Sequence, residues 1–270
     1  MQEQATPQSL IQRINDCIAA GRPGPARVLL AALRRHAPGA PFVSEIAARL
    51  AIVQGDLQSA QIELDAALAS HPDDAPLRRC RADLRHRLRD FIGAAADAAE
   101  AVIAAPREPI GKAILGILMM ELGRTRDAVA CLREALAANP AAVAVREALA
   151  CAQVADGDPD AGAATLAEGI TLTPDHGRLR NAAVLLACRR GDFEQALRLA
   201  EEARRYGYAD ACLFHLRAHA LSSLGRLAEA EDAYAEAVKL GPADLPVRNL
   251  GAATGADPVD PRGRTVRRPS

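Results

Sequence analysis

Few residues in this chain have the types and spacing that chemistry requires. The cysteines form no CxxC pair and lack metal-finger spacing. The six histidines are scattered and include no HExxH. We therefore predict no metal, no cofactor and no catalytic residue, and expect that the chain is not an enzyme. The cysteines lie at 17, 80, 131, 151, 188 and 212.

These thiols predict a compartment. Several of them have the character of small buried apolar residues, and reduced thiols are typical of a cytoplasmic protein. We expect a cytoplasmic location, with a disulfide framework as the alternative.

One segment comes near a phosphate-binding loop but does not complete the pattern. Gly111-Lys112 matches the end of GxxxxGK[ST], yet Pro106 stands at the first glycine and Ala113 at the hydroxyl position. We expect no nucleotide site here.

Composition restricts the fold and the partners. Net charge is −1, from 33 basic and 34 acidic residues, so no global field attracts nucleic acid or an anionic membrane. Residues 1–6 lack the basic start and apolar run of a secretory signal. No stretch approaches the roughly 20 apolar residues of a membrane span.

Aromatic residues make up only 3% of the chain, whereas Ala and Leu, which favour helices, are abundant. We predict an all-α protein.

The sequence repeats itself every 34 residues. Prolines mark the period, and Tyr208 fills the one missing place. Glycines 17 residues earlier, and small residues 12 and 5 residues earlier, keep the same phase. The proline column is Pro38, Pro72, Pro106, Pro140, Pro174 and Pro242, and the glycine column is Gly21, Gly55, Arg89, Gly123, Gly157, Gly191 and Gly225.

Each column has a physical interpretation. A glycine after a helix supplies the left-handed conformation that often ends it. The aspartates that follow this column are expected to cap a second helix: Asp56, Asp90, Asp158 and Asp192. The alanine columns indicate close helix crossings, and proline follows the second helix because a helix cannot continue through it. One unit is therefore helix, tight turn, helix, tight turn, and stacked units bury a common core.

This pattern resembles the tetratricopeptide repeat over about residues 7–242. The seventh unit carries it most clearly, with Phe214, Ala218, Leu221, Gly225, Ala230, Tyr234, Ala237 and Pro242. The resemblance implies a right-handed α-solenoid of seven helix-turn-helix repeats, with a concave groove lined by the first helix of each repeat. We place the repeats at 7–40, 41–74, 75–108, 109–142, 143–176, 177–210 and 211–244, after an N-terminal tail at 1–6.

Family geometry predicts the residues that face the groove. The centre is apolar and both sides are basic or polar, which indicates a protein or peptide ligand with an apolar centre and acidic flanks. The alternative is that neighbouring first helices bury these residues. The predicted groove residues are Ile110, Ala113, Ile117, Met120, Val154, Arg79, Arg87, Arg178, Asn181 and Arg189.

The third repeat departs from the pattern because Arg78, Arg81 and Arg85 occupy positions that the family fills with apolar residues. Arg89 also replaces the turn glycine, and its left-handed conformation would cost about 1 kcal/mol of stability. Unpaired burial of these charges would cost several kcal/mol each, which excludes it. Two interpretations stay open: a loosely packed helix whose arginine stems reach water, or a site for an anion or acidic partner.

The end of the chain has a different composition. Residues 243–254 are expected to form a short capping helix with Leu245, Val247 and Leu250, and residues 255–270 read as a disordered basic tail. The tail is either simply solvated or makes nonspecific contact with nucleic acid.

The leading hypothesis is a protein–protein interaction scaffold. The second rests on a resemblance of residues 239–250 to the junction in bacterial proteins that fuse these repeats to a methyltransferase, whose catalytic domain this chain lacks. It would make the chain the substrate-recognition arm of such an enzyme. RNA binding through the arginines is a third, weakened by the scarcity of aromatic stacking residues.

Overall fold

The computed structural model describes residues 6–174 and 176–241, and this part of the chain contains fourteen α-helices and no strand. The first helices of the hairpins begin 34 residues apart. They are α1 (Pro7–Ala19), α3 (Pro41–Val53), α5 (Ala75–Arg87), α7 (Pro109–Glu121), α9 (Val143–Ala155), α11 (Gly177–Arg189) and α13 (Ala211–Ser223).

The second helices keep the same period. They are α2 (Pro23–His36), α4 (Leu57–Ser70), α6 (Phe91–Ala104), α8 (Thr125–Ala138), α10 (Pro159–Leu172), α12 (Phe193–Arg205) and α14 (Leu227–Leu240). The prediction of an all-α helical-repeat fold is confirmed.

The chain divides into two compact units, residues 1–123 and 124–270. In the first, α1 pairs with α2, α3 with α4 and α5 with α6, and α7 packs on α6. In the second, α8 packs on α9, followed by the pairs α9–α10, α11–α12 and α13–α14. The predicted capping helix (243–254), the basic tail (255–270), Pro242 and most of the N-terminal tail lie outside the described residues.

Residues of the glycine column adopt the left-handed conformation that the sequence predicted. The glycines have φ between +64° and +90°, and Arg89 adopts φ +66° as the one non-glycine residue with positive φ in the described ranges. The column glycines are Gly21, Gly55, Gly123, Gly157, Gly191 and Gly225. Arg89 therefore carries the left-handed strain that the sequence indicated.

Three of the four predicted aspartate caps form. Asp56, Asp90 and Asp158 accept hydrogen bonds from the backbone N–H three residues later, at 2.9–3.1 Å. The prediction for Asp192 is wrong, because no side-chain capping bond forms there and its carboxylate pairs with Arg190 at 3.1 Å. A basic residue two positions away competes for the same carboxylate.

The core consists of small and branched apolar residues between successive helices. Leu30 of α2 packs with Val43, Ile46 and Leu50 of α3. Further along, Leu166 of α10 packs with α11. The alanine columns are fully buried at Ala26, Ala60, Ala94, Ala128 and Ala196, as close helix crossings require.

Candidate binding face

In the first unit, α7 presents the apolar residues that the sequence indicated. Ile110 is 56% exposed, and Ile117 and Met120 are partly exposed. Ala113, which we predicted to face the groove, is buried, so its side chain adds little contact area to this face. The spacing 110, 117 and 120 places three apolar side chains on one face of the helix. This face is chemically able to bind an apolar side chain.

Two further residues widen the apolar face of this unit. Phe42 and Val53 lie on α3 and are 36% and 51% exposed. Phe42 occupies the same repeat position as Ile110, with partly exposed Pro76 between them in sequence. We did not predict Phe42 or Val53, although the repeat position they share with predicted groove residues carried the signal.

The predicted basic residues of this unit are paired with carboxylates of the chain itself. Arg79 forms an ion pair and hydrogen bond with Glu108, which precedes α7. Arg87 bonds Asp83 one turn earlier on α5, at 3.1 Å. The Arg79 pair links two neighbouring first helices, so this side chain has a structural role.

The second unit shows the same arrangement. Arg178 of α11 binds Glu147 of α9 through two hydrogen bonds at 3.2 and 2.6 Å. Asn181, which is buried, donates to Asp210 at 2.8 Å. Asp210 in turn caps α13 by accepting from Leu213 N–H at 2.7 Å. These contacts again connect consecutive first helices.

Burial differs between the residues of this second face. Val154 and Arg189 are partly exposed, whereas Cys151, Leu185 and Cys188 are buried. The Cys188 thiol lies 3.8 Å from the carbonyl oxygen of Leu216 on the next first helix. Close stacking of first helices therefore covers these three side chains, and among the predicted groove residues of this unit Asn181 is buried as well.

The arginines of the third repeat surround one buried carboxylate. Arg81 binds Asp97 in a bidentate manner, at 2.8 and 2.7 Å, and Arg85 binds it at 2.8 Å. Arg78 lies 3.9 Å from the same group. The Asp97 side chain is only 3% exposed. Hydrogen bonding to Asp97 is also the main cause that raises the pKa of Arg81.

This cluster corrects both interpretations of the third repeat. The guanidinium groups do not simply extend to water, and their anion is supplied by α6 of the same hairpin. Asp65 and Glu100 complete the charge balance, at 3.1 Å from Arg81 and 4.0 Å from Arg78. The arginines are therefore neutralised internally, and they offer little net charge to a ligand.

A second recurring contact was not predicted. Arg146 is 2% exposed and donates to the carbonyl of Pro140 at 2.8 Å and to Glu168 at 3.0 Å. Arg180, one repeat later, bonds the Pro174 carbonyl and Glu202 at 3.2 Å, and lies 4.0 Å above the Tyr206 ring. The signal was an arginine at the fourth repeat position followed by glutamate 22 residues later.

The cysteines are free thiols, and burial makes most of them unreactive. Desolvation raises the pKa of Cys80, Cys151 and Cys212 to about 12 and that of Cys188 to about 11. Burial also lowers the pKa of His215 and His219. The raised pKa values of the cysteines disfavour the thiolate, which is the nucleophilic and metal-binding form of the side chain.

Open cavities lie beside the repeats in both units. One, of about 450 Å³, is lined by Phe214, Arg217 and residues of α12 and α14. Another, of about 350 Å³, lies between α4 and α5 beside Arg78 and Arg81.

Within residues 6–174 and 176–241, no group of three metal-ligating side chains comes together. None of the described helices is both long and apolar enough to cross a membrane.

Comparison with known proteins gives the same class as the fold. The tetratricopeptide repeat family model matches residues 115–177 and 181–244. A tetratricopeptide repeat protein from Parabacteroides merdae superposes with a TM-score of 0.63 at 22% identity, covering 93% of this chain and 99% of that one. The matches and the fold together support a tetratricopeptide-repeat protein.

Other relatives share the architecture at lower identity. PilF of Pseudomonas aeruginosa has a TM-score of 0.61 at 16% identity, covering 78% of this chain and 96% of that one. YrrB, described as a protein of this class with an unusual peptide-binding site, has a TM-score of 0.52 at 15% identity, covering 76% and 96%.

One curated relative is similar in sequence. The protein FlbA of Caulobacter vibrioides is 30% identical over 183 residues, which cover 67% of this chain. The match covers only 31% of FlbA, so the chain spans less than a third of the length of that relative.

Proposed function

We propose that this chain is a protein–protein interaction scaffold that binds a peptide or helix of a partner protein through the exposed face of its first helices. The observation that carries the proposal is the apolar face of α7, where Ile110 is 56% exposed beside Ile117 and Met120. Exposed apolar residues gathered on one helix face are typical of interaction sites, and methionine adapts to varied partners. That YrrB carries a peptide-binding site on a similar fold supports the proposal.

The ligand is proposed to have an apolar centre and acidic flanks. In the first unit, Arg79 and Arg87 already hold Glu108 and Asp83. Arg87 and Asp83 are both about half exposed, and exposed pairs of this kind contribute only about 0–1 kcal/mol. A ligand carboxylate can replace Asp83 beside Arg87 at little cost, so we assign selectivity to Arg87 and affinity to the apolar centre.

The second unit offers an equivalent but smaller face. There Val154 and Arg189 are partly exposed, while Arg178 and Asn181 connect neighbouring helices. We propose that Val154 is its apolar contact.

We also propose a cytoplasmic location, which the free thiols support because reduced cysteines are typical of that compartment.

The test is affinity capture with quantitative mass spectrometry, using the full chain and the double variant Ile117→Glu, Met120→Lys. The matched control is Val28→Glu, Ile62→Lys, which places the same charges on exposed residues of α2 and α4. We expect partners to be lost from the first variant and kept by the control, with helical circular dichroism unchanged in both. A folded α7 variant that keeps every partner would refute the proposal.

The methyltransferase-arm hypothesis stays a prediction with its own measurement. Calorimetric titration of the full chain with S-adenosylmethionine should give no heat of binding if the chain is a scaffold alone. Binding of the methyl donor would contradict the pure scaffold, whereas the absence of heat is also what a recognition arm without its catalytic domain predicts.

A further inference from the structure

One side of α6 is apolar along nearly its whole length. Four residues there recur with helical spacing, which places them within an arc of about 60° on the helix surface. We call them the α6 stripe: Ile92, Ala96, Ala99 and Ile103. Ile92 and Ile103 are 78% and 72% exposed, and both alanines are at least partly exposed. The helices on which α6 packs, α5 and α7, therefore leave this side uncovered.

The same repeat positions are charged three repeats later, in α12. They are Glu194, Arg198, Glu201 and Arg205. That composition is typical of a solvated helix face, whereas a helix that is apolar on every side is typically buried. The ionisable residues of α6 are Asp97 and Glu100, and Asp97 is already buried against the arginines of α5. The composition of α6 is therefore that of a helix whose outer side is covered as well.

The order of residues in the α6 stripe makes it complementary to itself. Two α6 helices that pack antiparallel about a two-fold axis place residue 92 opposite residue 103, and residue 96 opposite residue 99. Because the stripe reads Ile, Ala, Ala, Ile, every position then meets a residue of its own type. The alanines let the two backbones approach closely at the centre, and the isoleucines fill both ends. A second copy of the chain therefore matches the stripe at all four positions.

We propose that the α6 stripe is the contact of a two-fold symmetric dimer, formed by antiparallel packing of α6 against α6 of a second copy. One pair of short helices buries less than the roughly 1,200 Å² of a stable interface, so the dimer is weak and needs micromolar or higher concentrations. The contact uses none of the α7 residues assigned to partner binding, so it does not depend on that function.

The proposal is tested by sedimentation velocity on the full chain between about 1 and 500 µM, a range suited to weak association. The average mass of the wild type is expected to rise with concentration from monomer toward dimer. Ile92→Glu with Ile103→Glu should weaken association about tenfold or more, because like charges would meet at both ends of the contact.

The matched control is Leu227→Glu with Val238→Glu in α14. These residues are 61% and 62% exposed and have the same separation along their helix as Ile92 and Ile103. The control should associate as the wild type does. Circular dichroism of every variant checks that the helical content is native.

A third variant tests the antiparallel register. Ile92→Glu with Ile103→Lys places opposite charges across an antiparallel pair of α6 helices, whereas in a parallel pair it would place like charges together. We expect this variant to dimerise more strongly than the variant with two glutamates. The difference between them should shrink at high salt, because exposed charges are screened.

Three results would overturn the proposal. The first is a wild type that stays monomeric at the highest concentration. The second is a folded Ile92→Glu, Ile103→Glu variant that dimerises like wild type, which would place the contact elsewhere. The third is equal association of the two α6 variants, which would exclude the antiparallel register. Partner capture by α7 is read separately, so failure of the dimer and failure of the partner-binding proposal are distinguishable.

Discussion

Arg89 is the residue where sequence and backbone conflict most directly. It occupies the turn position that glycine fills in the other repeats and adopts φ +66°. A side chain in this conformation costs about 1 kcal/mol relative to glycine. Its guanidinium lies 5.4 Å from the Phe91 ring, a weak contact on an exposed residue.

Arg89→Gly should therefore stabilise the protein by roughly 0.5–1 kcal/mol, measured by urea denaturation. Gly55→Ala is the matched control, because it introduces a side chain at φ +78° where no neighbouring atom obstructs it. We expect that change to destabilise by about 1 kcal/mol. Stabilities that move in the opposite directions would contradict the turn geometry.

The thiols give a second prediction at this scale. Because burial raises the pKa of Cys80, Cys151 and Cys212 to about 12 and that of Cys188 to about 11, these groups are protonated at pH 8. A chromogenic disulfide reagent should react with them only as fast as the protein opens, whereas denaturant should release all six thiols at once. More than two rapid equivalents in the native state would contradict the burial of these four thiols.

At the scale of helices, Asp97 is the buried carboxylate of α6 that pairs with the arginines of α5. Asp97→Asn would leave Arg81 and Arg85 near a neutral amide in a buried position, at a cost of about 3–5 kcal/mol. The control Asp65→Asn removes an exposed partner of the same Arg81 and should cost less than about 1 kcal/mol. Thermal denaturation of both variants decides between these magnitudes.

The fourth repeat offers a complementary substitution at the same positions. Leu115, Met119 and Cys131 stand there where the third repeat has Arg81, Arg85 and Asp97. Replacing a buried charge network by apolar residues of similar size is often neutral or stabilising. We expect Arg81→Leu, Arg85→Met, Asp97→Cys to unfold at or above the wild-type temperature. A loss as large as that of Asp97→Asn would mean that the network itself holds the hairpin.

Helix crossings provide a further prediction. Ala196 is fully buried in α12, which pairs with α11. Ala196→Leu should overpack this crossing and cost about 1–3 kcal/mol, whereas Arg198→Leu on the exposed side should change stability by less than about 0.5 kcal/mol. Normal thermal stability of Ala196→Leu would argue against the assigned register.

At the scale of the molecule, the period predicted the architecture because it reports local chemistry. Glycine at most turns, alanine at the crossings and proline after most second helices act within a few residues of their own position. The partners of Arg79, Arg81 and Arg178 could not be predicted in the same way. Each partner lies 16 to 31 residues away, and side-chain conformation decides which carboxylate is reached.

The candidate site shows the same limit. Ile110 could be assigned from its repeat position, and it is exposed as a contact residue should be. Asn181 had an equally good position, yet it is buried and bound to Asp210. Repeat position predicts the face on which a residue lies, but only packing between successive helices decides whether it stays accessible.

The most direct test of the account is the dissociation constant of a captured partner, measured by isothermal titration against wild type and two variants. We expect Ile117→Glu, Met120→Lys to weaken binding about tenfold or more, because central apolar contacts dominate such interfaces. The control Val28→Glu, Ile62→Lys should bind with wild-type affinity. Equal affinity of all three proteins, each with native helical content, would contradict the claim that α7 is the binding face.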